Sequence, residues 1–180
     1  MNIEGKGTVC PTLVKIDIPA SCQKWLAEIA AKREARKGYA ASQDKWRQGM
    51  KHNAVLNGLW GECGCVLELA RNGLICSWNP HLQWGGDGGA DIKVKGIGID
   101  VKTGVSWIRR IDSRGNIIPL CDIYVFASAI PDKNLVALKG WLFREKLWRV
   151  GEVRPQGHRN IEVDGNEMEP MHRLVTHLRS

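Results

Sequence analysis

The run from Trp84 to Thr103, WGGDGGADIKVKGIGIDVKT, admits few folds. Its first part is a glycine-rich loop, a short strand begins near Ala90, and Gly96 marks a tight turn into a second strand from Ile97 to Thr103. Side chains alternate along a strand, so Asp100 and Lys102 point to one side while Val101 packs the other way. Asp91 stands at the start of the paired strand. With the two strands as neighbours, one face gathers two carboxylates and a lysine, framed by the apolar Ile97, Ile99 and Val101. Such a face is either a hairpin with solvated charges or a divalent-metal site with a cation beside it. Mg²⁺ prefers one or two carboxylates together with waters and phosphate oxygens, and there it positions a water and neutralises charge developing on a phosphate.

A third acid stands upstream. From about Gln48 to Asn72 the pattern is helical, with Val55, Leu59, Cys63, Val66, Leu67 and Ala70 on a broad apolar face. Gly58, Gly61 and Gly64 recur at steps of three, which weakens the isolated helix but leaves a smooth strip for close approach to a sheet. Glu62 belongs to that strip, and Glu68 is the fallback nearly two turns on.

The succession of a helix bearing Gly61-Glu62, then Gly89-Ala90-Asp91, then Ile99-Asp100-Val101-Lys102 resembles the PD-(D/E)XK nuclease superfamily. The resemblance covers roughly residues 56–130, and alanine rather than proline precedes Asp91. It implies an α/β fold of the restriction-endonuclease kind: an α-β-β-β-α-β core on a mixed central sheet, here with an extra N-terminal helix. It also implies hydrolysis of DNA phosphodiesters with Mg²⁺, or Mn²⁺, held by Asp91, Asp100 and the Val101 carbonyl. Glu62 would bind or orient a metal-bound water, and Lys102 would position the attacking water or counter charge on the phosphate.

Charge agrees with an anionic partner. The 180 residues carry a formal charge of +7, and between Lys24 and Lys51 eight basic residues face three acidic ones. Lys32, Arg33, Arg36 and Lys37 on a helix running to about Lys37, with Arg144 and Lys146 in a second basic region, are the candidate contacts to the DNA backbone. Tyr39 and Trp46 lie among these cations, as closers of a small core or as stacking surfaces. No apolar run reaches the length of a membrane span, and the N-terminal residues lack the apolar core of a signal peptide, so a cytoplasmic protein with reduced cysteines is expected.

The remaining segments complete one expected domain: residues 1–50 as a basic arm and helix, 51–130 as the catalytic core, and 131–180 as a closing strand, basic loops and helix. Val14, Ile16 and Ile18 alternate as a strand, and Ser21 is the expected cap of a helix striped by Trp25, Leu26, Ile29 and Ala30. Leu74–Trp78 reads as the first core strand, Asp112–Asn116 as a hairpin turn and Cys121–Ala127 as a strand buried on both faces. A strand over 136–143 follows, with Trp141 and Trp148 packed nearby, and a final helix turns Met171, Leu174, Val175 and Leu178 inward. The resulting expectation is a DNA nuclease, with a homodimer open. A nucleic-acid-binding protein that does not cut, a junction-resolving endonuclease and an RNA-directed enzyme are the alternatives.

Overall fold

The structure, a computed structural model, describes residues 13–37, 51–81, 90–105, 107–109, 121–153 and 160–180. In chain order the elements are β1 (Val14–Asp17), α1 (Ala20–Lys37), α2 (Lys51–Arg71), β2 (Ser77–Trp78), β3 (Ile92–Val94), β4 (Ile97–Thr103) and β5 (Trp107–Arg109). They continue with β6 (Ile123–Ile130), β7 (Leu135–Phe143), α3 (Arg144–Val150), β8 (Glu152–Val153), β9 (Asn160–Glu162) and α4 (Met171–Arg179). The protein is therefore mixed α/β. Its main sheet has six strands in the order β1-β7-β6-β4-β3-β2, in which β4 and β6 run parallel and the other neighbours antiparallel. A second sheet has the order β5-β9-β8.

The hairpin at the centre of the sequence forms as its alternation dictates. Lys95 and Gly96 both take positive φ, 50° and 86°, the backbone pair that a two-residue hairpin turn requires, and Val94 then faces Ile97. Ile92, Val94, Ile99 and Val101 join the larger core on one face of the sheet. Strand β6 is buried on both faces. Ile123, Val125 and Ala127 enter that larger core, while Tyr124 and Phe126 enter a second one with Leu142, Leu147, Ile161 and Met168.

Helix α2 lies against the first face. A Cβ on Gly61 would fall 1.8 Å from Thr103 Oγ1, and one on Gly64 would fall 2.8 Å from Val136 Cβ, so the helix backbone itself touches the sheet at these positions. Gly58 meets nothing within 4 Å and takes no part in this approach. With α1 on its other side, α2 is buried continuously from Leu59 to Cys65, whereas Ala70 is exposed. The inward residues of α4 are the four expected ones, and they close the same core beside Trp141.

Several expectations are corrected. The first core strand is only Ser77–Trp78, because Leu74 folds back to donate to Leu69 O at the end of α2 and Ile75 is 91% exposed. The strand expected near Ala90 begins at Ile92, since Ala90 packs into the second core and Asp91 serves as a side-chain acceptor. Pro19, not Ser21, precedes α1, and its carbonyl accepts from Gln23 N–H. Trp25 and Trp148 are exposed rather than core residues. The strands expected at Val14–Ile18 and at 136–143 form as β1 and β7, neighbours in the main sheet. Between β4 and β6 the described residues hold β5, where the family pattern implies a helix. The turn at 112–116, Tyr39 and Trp46 lie outside the described residues. Among the described residues no helix is long and apolar enough to cross a membrane, and the five described cysteines are free thiols.

The glycine contacts give paired expectations for stability. Gly64→Ala should destabilise the fold by about 1–3 kcal/mol, because Val136 Cβ is fixed to its strand and the helix must shift. Gly58→Ala should stabilise it by about 0.5–1 kcal/mol through helix propensity alone. Urea denaturation of the two variants measures both, and equal effects would refute the close approach at Gly64.

Candidate active site

The packing of Gly61 on Thr103 delivers the next residue, Glu62, to the edge of the hairpin. Glu62 is 8% exposed, and its Oε2 accepts a hydrogen bond from Trp78 Nε1 at 2.9 Å. Asp91 immediately precedes β3 and is held by two hydrogen bonds. Its N–H donates to Ile99 O at 2.9 Å, and its Oδ2 accepts from the Val101 N–H at 2.7 Å. The N–H and C=O of one residue leave a strand on the same edge, so the Val101 carbonyl also points toward the Asp91 side. Asp100 is 7% exposed, and its Oδ1 accepts from Lys102 Nζ at 2.6 Å. Each carboxylate thus engages one oxygen with a protein donor. The second oxygen of each accepts no hydrogen bond among the described residues.

The three acids act on one another electrostatically. Burial, then the Asp100 and Glu62 charges, push the Asp91 carboxyl up to about 8, against the pull of the Val101 N–H and Lys102. Burial also raises Glu62, with Asp100 adding to it and Trp78, Arg33 and Lys102 opposing. Desolvation draws Lys102 down, but the charge and hydrogen bond of Asp100, with Asp91 behind them, outweigh it and hold the ammonium above its ordinary range. Fully ionised, the three acids would carry more negative charge than Lys102 and Arg33 balance, and Asp91 avoids that excess by holding its proton.

That surplus is what a hard divalent cation would relieve. Among the described residues no three His, Cys, Asp or Glu side chains converge as a ready-made cage. Mg²⁺ does not require one, since it takes one or two carboxylates and fills the rest of its shell with water and phosphate oxygens. Asp91, Asp100 and the Val101 carbonyl suit that demand. Glu68 does not belong here: it is tied to Asn72 and Arg71 at the end of α2, with Nδ2 of Asn72 at 3.0 Å and an Arg71 nitrogen at 3.6 Å. Asp87, four residues before Asp91 in the glycine-rich loop and by its position either a contact to a second metal or a turn-former, lies outside the described residues.

The cations read from the sequence separate into groups. Arg33 is half-buried, its charge acts on Glu62, and its buried Nε has no hydrogen-bond partner, so it stands at the acids and not on a distant face. Lys32 is exposed on α1. The side chains of Arg36 and Lys37 lie outside the described residues. Arg144 sits by Tyr124 and is paired at 3.5 Å with Glu145. Lys146 is bound at 2.8 Å to Glu169, so its charge is neutralised within the fold.

Two partners of Glu62 escaped the sequence reading. Trp78 was legible as a strand residue and Arg33 as a basic one, but nothing in the order of residues joins either to position 62. Comparison with family models, with curated proteins and with solved structures finds no match to this chain.

The charge surplus has a pH signature. In the folded chain Asp91 holds its proton up to about pH 8, whereas the unfolded chain releases it near 3.8. Between these values the folded state binds more protons, so this contribution is complete below pH 3.8 and is lost as pH rises to about 8. Metal-free protein should therefore melt at progressively lower temperature from about pH 5 to about pH 9 through this group. Asp91→Asn keeps an acceptor for the Val101 N–H without the charge. It should flatten that slope and raise the melting temperature at about pH 9 by about 3–6 °C, or roughly 1–2 kcal/mol. Calorimetry in a chelating buffer checks this, and an unchanged slope in the variant would exclude a strained acid at position 91.

Proposed function

We propose that this chain is a metal-dependent deoxyribonuclease of the PD-(D/E)XK type, with Mg²⁺ or Mn²⁺ as cofactor and DNA as substrate. The observation that carries the reading is the electrostatic coupling of Glu62 from helix α2, Asp91 just ahead of β3, and Asp100 and Lys102 on β4. Element order supports it as well: α2, β2, β3 and β4 follow one another, and β6 returns parallel to β4.

A divalent cation bound by Asp91, Asp100 and the Val101 carbonyl would supply Lewis-acid polarisation of the phosphate and a more acidic water. The protein's own groups do the rest. Lys102, now paired with Asp100, would turn toward the phosphate or the attacking water once that carboxylate has another positive partner. Glu62, kept in place by Trp78, would orient the water. Arg33, whose charge acts on Glu62, would add a cation beside the scissile phosphate, and Lys32 would hold the backbone further along α1. Backbone contacts of this kind bring affinity without base reading and fall off with salt.

The test uses circular and linear DNA with Mg²⁺, Mn²⁺ or EDTA. Cutting should require metal, and Asp100→Ala or Lys102→Ala should each slow it by at least ~100-fold, the scale of losing a positioned catalytic group. DNA affinity of the variants in EDTA should stay within about threefold of the parent, because phosphate neutralisation carries it. A chain that binds DNA but cuts none with either metal is a nucleic-acid-binding module, and the enzymatic reading is then wrong.

A further inference from the structure

The acid cluster has an aromatic border, of which the proposed chemistry uses only the Trp78 indole N–H. Trp78, whose indole N–H holds Glu62, meets the Trp25 ring of α1 edge to face, with centroids 5.7 Å apart at 85°. His81 meets the same Trp25 ring at 6.2 Å and 76°. Trp25 is 39% exposed and stands outside both cores, and His81 is exposed in the turn after β2. Trp25 thus faces solvent one hydrogen-bonded residue away from Glu62, with His81 beside it.

On the reading of this chain as a nuclease, we propose that Trp25 and His81 form a stacking platform for an unpaired nucleobase, which directs the site to single-stranded or frayed DNA. Every base has a π-face, so such a platform binds without regard to sequence. In an intact duplex those faces are already covered by neighbouring bases, and the platform gains nothing from it.

The charges around the rings fit a single strand in particular. Lys32 lies two helical turns from Trp25, within about 20° of the same stripe of α1 and about 10 Å along it. Arg33, beside it, reaches Glu62. A strand whose base rests on Trp25 would therefore find one cation along the helix and another at the acids. Alternation of stacking rings and backbone cations is how sequence-tolerant single-strand sites are built. The competing explanation is that the three rings only fill the gap between α1 and β2.

Affinity and cutting are to be read separately. In EDTA, fluorescence anisotropy with a ~20-nucleotide oligothymidylate and a blunt duplex of the same length gives the ratio of single-strand to duplex affinity. The intact protein should favour the single strand. Trp25→Ala should lower the ratio about tenfold and His81→Ala about threefold, whereas Trp25→Phe, which keeps a ring, should hold it within about twofold. His81 is exposed, so its variant answers the question even if Trp25→Ala fails to fold. No preference in the intact protein, or a ratio that neither alanine variant changes, overturns the platform whatever the protein cuts. A ratio that falls as expected while no DNA is cut in Mg²⁺ or Mn²⁺ keeps the platform and removes the nuclease reading instead.

Discussion

Helix α2 can lie against the sheet only where it presents no side chain. At Gly61 the nearest sheet atom is a threonine hydroxyl that any Cβ would strike, and at Gly64 it is the stem of Val136. These two positions fix the height of the helix above β4 and β7, and with it the location of Glu62. A larger residue at either would lift the helix and withdraw the third acid from the other two. The same contact sets the position of Trp78, because its indole bonds to that acid across the gap. The site is thus a consequence of how closely two backbones approach.

Gathering three carboxylates at one partly buried edge is unfavourable for a folded chain by itself. The fold limits the cost with fixed donors: an indole N–H for Glu62, a backbone N–H for Asp91 and an ammonium for Asp100. None of these donors satisfies both oxygens of its carboxylate. What remains is a local field that favours cations, set in a chain of positive net charge. The two signs are arranged in space: the excess acid is concentrated at the hairpin edge, while Lys32 and Arg33 come from α1, a helix that packs on α2.

Much of this was legible from residue order because it is local. The β3–β4 hairpin follows from a turn residue and a period-two alternation, and the span of β4 matches its expectation at both ends. Burial of β6 on both faces follows from its dense run of apolar residues, and the inward face of α4 from its helical spacing. What the order of residues did not disclose depends on distant packing. Leu74–Cys76 has strand-like composition but is diverted by the end of α2, leaving Ile75 in solvent. Trp25 sits on an apolar-looking stripe, yet the core is filled by Leu26, Ile29 and Ala30 without it. Lys146 reads like a free cation, and only the fold brings Glu169 beside it.

The register of β1 has a consequence for how the chain acquires its structure. Val14 pairs with Leu138 and Asp17 with Leu135, so this edge strand has no partner until nearly the whole sheet has been synthesised. Closing so long a loop is entropically slow, and the reward comes only once β6 and β7 are in place to receive it. The hairpin of β3 and β4, by contrast, needs only its two-residue turn. Assembly would therefore run from the central hairpin outward, with the N-terminal strand waiting unpaired during translation and docking among the last elements.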